Sequence, residues 1–117
     1  PINIIAYNCG NIGSATATAY LGANKRIVSP SGTFLLHRTK PAPGNIGHLP
    51  ILNAVANGVA IDDARMETIL RESITLTPEQ WSIFSQADLT IDAATAVEVG
   101  LAHNIGFFSP NGPLYNI

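Results

Sequence analysis

The chain has 117 residues, which suits one domain (1–117) that buries roughly two-thirds of its unfolded surface. Its fraction of charged residues, 12%, is about half the usual fraction, which favours a homo-oligomer. Residues 1–61 hold four bases and no acid, and residues 62–117 hold two bases and all eight acids, which leaves a net charge of −2. So few bases without interleaved aromatic residues exclude a nucleic-acid surface. Because no apolar run approaches the roughly 20 residues that span a bilayer and no secretory signal is visible, we expect no membrane partner and a cytoplasmic location.

The first third of the chain predicts alternating strands and a helix. Residues 2–7 are apolar and β-branched and end at the turn signal 8–11, which predicts a buried strand. The small residues of 15–21 predict a short helix that Gly22 ends as a C′ residue. Two further strands are expected at 26–28 and 33–37, joined by the turn 29–32.

The rest of the chain predicts three helices and a last strand. After a loop at 41–47, apolar residues recur at helical spacing from about 49 to 73, on more than one face, which predicts a long helix with a partner outside its own domain. Thr77 begins a helix with a capping box, Asp92 caps a helix over 93–99, and 104–108 predicts a strand before the tail 109–117. Alternating strands and helices place the chain in the α/β class.

Ser14 is a candidate nucleophile. It lies between a predicted strand and a small-residue helix, in the segment Gly10-Asn11-Ile12-Gly13-Ser14-Ala15. The helix N-terminus would offer free N–H groups beside the hydroxyl, as a nucleophile with an oxyanion donor requires. The alternative interpretation is an ordinary N-cap serine.

Two further residues could complete a catalytic set. His37 ends an apolar strand, where it is either a structural histidine at the edge of the core or a general base for Ser14. Asp88 could orient His37, or it could be an ordinary turn aspartate. The single cysteine, Cys9, excludes an internal disulfide, and neither His48 nor His103 has a partner at ligand spacing, so no metal or cofactor is expected.

The combination resembles the ClpP family of serine peptidases from Ile2 to about Phe108. The segment around Ser14 is similar to the family's nucleophile motif, with a glycine four residues before the serine. Arg26 and Pro30 stand at the family's distances before the catalytic histidine, His37. Aligned without gaps on 79–101, the family's triad aspartate falls on Asp88.

The resemblance implies a fold, an assembly and a site. The fold would be the ClpP/crotonase type, a partial β-α-β spiral core whose protruding handle helix, 49–73, interlocks two rings. The chain would be the carboxyl-terminal part of that fold, without the family's N-terminal portion. It implies a Ser14–His37–Asp88 triad, an oxyanion donor at the Ala15 N–H, and a polypeptide substrate that adds a strand beside 38–47. An AAA+ unfoldase is a possible partner.

Three functions remain open at this point. The first is a serine endopeptidase of the ClpP type, in which Ser14 attacks a peptide carbonyl. The second is an inactive ClpP-like subunit of a mixed ring. The third is a crotonase-type acyl-CoA enzyme, which would share the fold but would not need the triad.

Overall fold

The computed structural model describes residues 1–40 and 48–109, which form a mixed α/β fold with two three-stranded sheets. Its elements in chain order are β1 (Ile5–Asn8), β2 (Asn11–Gly13), α1 (Ala15–Leu21), β3 (Lys25–Val28), β4 (Thr33–Leu36), α2 (Leu49–Ser73), α3 (Pro78–Gln86), β5 (Leu89–Asp92), α4 (Ala93–Glu98) and β6 (Asn104–Ile105). The predicted α/β class is confirmed. The predicted loop 41–47 and the tail beyond Ser109 lie outside the described residues.

Each sheet takes one strand from each of two consecutive strand pairs, β1–β2 and β3–β4. β1 and β2 are followed by α1, and β3 and β4 then pair in parallel with β1 and β2, respectively. The first sheet is completed by β6, parallel to β3, and the second by β5, antiparallel to β4. The predicted partial β-α-β spiral core of the ClpP/crotonase type stays a prediction.

The corner where the chain passes from β1 to β2 is held by a buried asparagine. Asn8 donates from Nδ2 to the Thr33 carbonyl at 2.8 Å and accepts the Gly10 N–H at Oδ1 at 3.0 Å. At Gly32, the corresponding corner between β3 and β4, a Cβ atom would lie 2.6 Å from a Val28 methyl group. A side chain does not fit there, so the two corners pack directly on each other.

The core lies between the second sheet and the helices. Its largest fully buried apolar side chains are Phe34, Phe84, Leu36, Leu70, Ile91, Leu101 and Val28. They come from five helices and strands and from the turn after α4, so the end of α2 and the buried side of α3 pack on β4 and β5. That packing positions the residues that follow β4.

Arg26 joins distant parts of the chain. Its guanidinium donates to the Leu101 carbonyl at 2.9 Å and the Gly100 carbonyl at 3.0 Å, beyond the end of α4. It also reaches the Leu21 carbonyl at 3.4 Å, at the end of α1. Carbonyl groups at helix ends carry partial negative charge, so they stabilise this cation without a carboxylate.

α2 begins and ends where the apolar periodicity predicts, at Leu49 and Ser73. Leu70 near its C-terminus is buried, whereas Leu49, Ile51 and Ile61 are more than half exposed. The helix therefore extends beyond the core, as the surplus of apolar positions predicted. Over the described residues, no helix is long and apolar enough to cross a membrane.

Several boundaries differ from the sequence predictions. The segment expected to be a turn at 8–11 contains the start of β2, because this three-residue strand is too short to show a period. β5 was missed although its residues alternate between buried and exposed, because four residues give only a short signal. The strand predicted at 2–7 begins at Ile5, the one predicted at 104–108 ends at Ile105, and the helix predicted over 93–99 ends at Glu98. Gly22 ends α1 in the right-handed region, with φ −73°, so this position does not require glycine's left-handed freedom.

Candidate active site

Ser14 lies in a strained turn between β2 and α1. Its φ of 52° and ψ of −127° make it the one non-glycine residue with positive φ in the described parts of the chain. The turn is held by a hydrogen bond from the Ser14 N–H to the Leu35 carbonyl at 2.9 Å. Ser14 stands at the N-cap position of α1, yet its side chain makes no capping hydrogen bond. The structure thus lacks the bond that an ordinary N-cap serine would make.

Ala15, the predicted oxyanion donor, is the first residue of α1 and is exposed. The N–H groups in the first turn of a helix have no acceptor within the helix. Ala15 lines the same cleft as Ser14, and its role as an oxyanion donor stays a prediction.

A cleft of about 490 Å³ opens beside Ser14. Its walls come from α1, from the segment after β4 and from the second half of α2, and the lining residues are Ser14, Ala15, Thr18, His37, Thr39, Lys40, Asp62, Arg65, Met66 and Ile69. Ser14 and His37 therefore line one cleft, and their roles as nucleophile and base stay predictions. The part played by α2 was missed, because periodicity alone does not say which neighbour a helix face covers.

His37 follows β4 and is half-buried. Its Nδ1 lies 2.6 Å from the Arg38 carbonyl oxygen. A carbonyl only accepts, so Nδ1 carries the hydrogen and the neutral ring keeps its lone pair on Nε2. Within residues 1–40 and 48–109 no hydrogen bond joins His37 to Ser14, and apo structures often hold such pairs apart.

Asp88 lies in a second, smaller cleft of about 240 Å³ that His37 also lines. Its Oδ1 accepts a hydrogen bond from Lys40 at 2.6 Å, and within the described ranges none comes from His37. That hydrogen bond lowers the pKa of Asp88, and the positive charge of Lys40 acts in the same direction. Ser14 and Asp88 therefore lie in two clefts that both border His37, but the Asp88 carboxylate is bound by Lys40.

An ion-pair cluster beside His37 was missed by the sequence analysis. Arg38 lies 3.6 Å from Asp63 and 3.2 Å from Glu67, and the Thr39 N–H donates to Asp63 at 2.7 Å. Burial by itself would raise the pKa of Asp63, but the hydrogen bonds from Thr39 and the charge of Arg38 together lower it. The sequence signal that was available is the spacing of Asp63 and Glu67, four residues apart on one helix. The second part of the signal is the base Arg38 directly after His37.

No metal-binding cluster of three or more His, Cys, Asp or Glu side chains occurs in the portions of the chain that the structure describes. The larger cleft is lined by a serine, a histidine, a lysine and the first residue of α1. That set is typical of a serine hydrolase.

Comparison with known proteins agrees with this class. The chain is 30% identical over 104 residues to the ATP-dependent Clp protease proteolytic subunit 2 of Pseudomonas aeruginosa. The aligned region is 87% of this chain and 51% of that protein, so the chain spans about half the length of the curated relative it matches. No protein-family model matches. The similarity supports a ClpP-like relationship.

Proposed function

We propose that this chain is a serine-type peptidase subunit that hydrolyses peptide bonds of unfolded polypeptides. The observation that carries the proposal is the backbone of Ser14, a strained serine without a capping bond that lines the same cleft as His37. Strain of this kind costs about 1–3 kcal/mol and clusters at active sites. The relative at 30% identity is a proteolytic subunit, which supports the same class.

The proposed chemistry uses three groups of the larger cleft. His37 Nε2 accepts the Ser14 hydroxyl proton while the oxygen attacks the peptide carbonyl, and the Ala15 N–H donates to the developing oxyanion. The histidine then gives the proton to the leaving amine, and water repeats the sequence on the acyl-enzyme. Asp88 would stabilise the charged imidazole once its carboxylate is released from Lys40.

The proposed substrate and partners follow the ClpP-like relationship. An extended polypeptide would lie beside residues 38–40, of which Thr39 and Lys40 line both clefts. The exposed apolar side chains of α2 support assembly with further copies of the chain, with α2 as the handle of a ring. An AAA+ unfoldase would supply the ATP dependence that the relative's name states. A cytoplasmic location belongs to the same proposal.

One observation favours a second candidate, an inactive ClpP-like subunit of a mixed ring. The Asp88 carboxylate is bound by Lys40, and the His37 ring by the Arg38 carbonyl, so no triad hydrogen bond exists among the described residues. An inactive subunit would retain this arrangement when it assembles.

A fluorophosphonate probe separates the two candidates, because it reacts with an activated serine. We expect the full chain to be labelled at Ser14 and Ser14→Ala to be unlabelled. Ser31→Ala, at an exposed turn serine, is the matched control and should be labelled like the unaltered protein. Equal labelling of the Ser14→Ala variant would overturn the assignment, and no labelling together with normal assembly would favour the inactive subunit.

A further inference from the structure

We infer that Asp63 and Arg38 position His37, through the Arg38 carbonyl, so that the histidine is oriented by the main chain rather than by Asp88. The inference rests on the proposed function, in which His37 is the general base. Asp63 lies on α2 and Arg38 lies in the segment after β4, so both positioning residues are outside the expected triad.

The two residues after His37 are fixed to α2 at several points. The Thr39 N–H donates to Asp63 Oδ1 at 2.7 Å, and the Arg38 guanidinium lies 3.6 Å from Asp63 Oδ2. The same guanidinium donates to Glu67 at 3.2 Å and lies over the Phe84 ring of α3, 5.5 Å from its centroid. Main chain and side chain of the 38–39 segment therefore both bind the same helix.

Asp63 is the central residue of this attachment. Its side chain is 14% exposed, and its two oxygens bind different groups, one the Thr39 N–H and the other Arg38. A carboxylate so poorly solvated is costly unless it is paired, and removing one partner of such a pair destabilises the other. Its lowered pKa keeps it ionised at neutral pH, so both contacts persist.

The attachment determines the orientation of the imidazole. The Arg38 carbonyl lies between the Arg38 side chain and the Thr39 N–H, and it accepts the His37 Nδ1–H at 2.6 Å. A fixed acceptor for Nδ1–H selects one tautomer and leaves Nε2 as the proton acceptor, which is the task of the aspartate in a serine triad. Asp88 does not perform this task in the structure, because Lys40 binds it.

The tautomer can be observed directly by NMR of the full chain labelled with ¹⁵N-histidine, because protonated and unprotonated ring nitrogens have separate shifts. The chain has three histidines, and His37→Gln assigns the relevant signals by their loss. We expect the Nδ1–H tautomer in the unaltered protein and in Asp88→Asn. Asp63→Ala should give a mixture of both tautomers.

Arg71→Met is the matched control for general loosening of α2. Arg71, like Arg38, pairs with Glu67 and lies over an aromatic ring of α3, here Trp81 at 4.0 Å, but it does not contact the 38–39 segment. We expect the His37 tautomer to stay unchanged in Arg71→Met and to become mixed in Arg38→Met. If Asp63→Ala does not fold, Arg38→Met decides the question alone.

Activity provides the second measurement. A positioned general base contributes roughly 100- to 10,000-fold to rate, so partial loss of its orientation should lower kcat for a peptide ester by about tenfold or more with KM little changed. A tautomer that changes in Asp88→Asn and not in Asp63→Ala or Arg38→Met would overturn the inference. Absence of fluorophosphonate labelling would refute only the proposed peptidase function, since the NMR result would still decide the orientation.

Discussion

Lys40 donates a hydrogen bond of 2.6 Å to the Asp88 carboxylate and so occupies the group that a serine triad would direct at His37. Both side chains are substantially exposed, at 63% and 41%. Exposed ion pairs are weak and are screened by salt. The ion pair can therefore break at little cost in free energy. Once it is broken, the Asp88 carboxylate would be free to interact with His37.

The first prediction concerns this pair. Lys40→Gln should increase the rate of peptide-ester hydrolysis, because it frees the Asp88 carboxylate for the charged form of His37. Added salt should increase the rate of the unaltered protein and have less effect on the variant. Lys25→Gln, at an exposed lysine of β3, is the control and should leave the rate and its salt dependence unchanged. A slower Lys40→Gln enzyme would show that Lys40 assists the reaction.

The second prediction concerns the strained backbone at Ser14. Glycine adopts positive φ without the cost that a Cβ imposes, whereas alanine retains that cost. Ser14→Gly should therefore be more stable than Ser14→Ala by about 1 kcal/mol, although both lack the hydroxyl. Urea unfolding of the two variants measures the difference. Greater stability of the alanine variant would mean that the backbone at this position is not strained.

The third prediction concerns pH. The pKa of Asp63 is lowered in the folded state, so the unfolded chain takes up its proton first as pH falls. The stability from this group is complete above the unfolded pKa of about 3.9 and is lost as pH falls through the lower folded value. The difference in free energy of unfolding between the unaltered protein and Asp63→Asn should be constant near neutral pH and shrink below about pH 4.

The control for this measurement is Asp62→Asn. Asp62 is the preceding residue of α2, but it is exposed and pairs only at 3.4 Å with Arg65. Its substitution should change stability little at any pH. A pH dependence of equal size in both variants would indicate a general charge effect rather than the Asp63 contacts.

The fourth prediction concerns the start of α3. The Thr77 hydroxyl accepts the Gln80 N–H at 3.1 Å, and the Gln80 side chain accepts the Thr77 N–H at 2.8 Å. Thr77→Ala should destabilise the protein by about 1 kcal/mol. Thr75→Ala, at an exposed threonine just before the helix, should have a much smaller effect in the same thermal unfolding assay.

The fifth prediction concerns Asn8. Asn8→Ala would leave the Thr33 carbonyl and the Gly10 N–H without their partner at a buried corner. Both hydrogen bonds are partly buried, and a loss of about 1–3 kcal/mol in total is expected. Asn3→Ala, at an exposed position before β1, is the control. Similar small losses in both variants would show that water replaces the lost contacts at the corner.

Much of the fold could be predicted because its signals are local. The capping box at Thr77, the Asp92 cap and the apolar periodicity of α2 depend on residues within a few positions of each other, and all three are confirmed. β2 and β5 were not recognised, since such short strands depend on β4, whose paired residues lie more than 20 positions away from each of them. Tertiary contacts decide such strands.

The candidate site likewise has some features that the sequence indicates and others that it does not. The position of Ser14 between a strand and a small-residue helix is local, and the structure places it there with His37 on the same cleft. The Lys40–Asp88 pair and the contacts of Asp63 join residues 24 or more positions apart, so no spacing rule indicates them. The Ser14–His37–Asp88 triad stays a prediction.

α2 has a mechanical consequence. At about 1.5 Å per residue, the 25 residues of the helix form a rod of roughly 37 Å whose last turns are clamped by the core at Leu70. Residues 62–69 form one wall of the cleft. The exposed half of α2 that precedes them is attached to the core through the last turns of the helix. A force on that exposed half, for example from a neighbouring subunit, would bend or rotate α2 about its buried last turns. Such a movement would change the width of the cleft at Ser14.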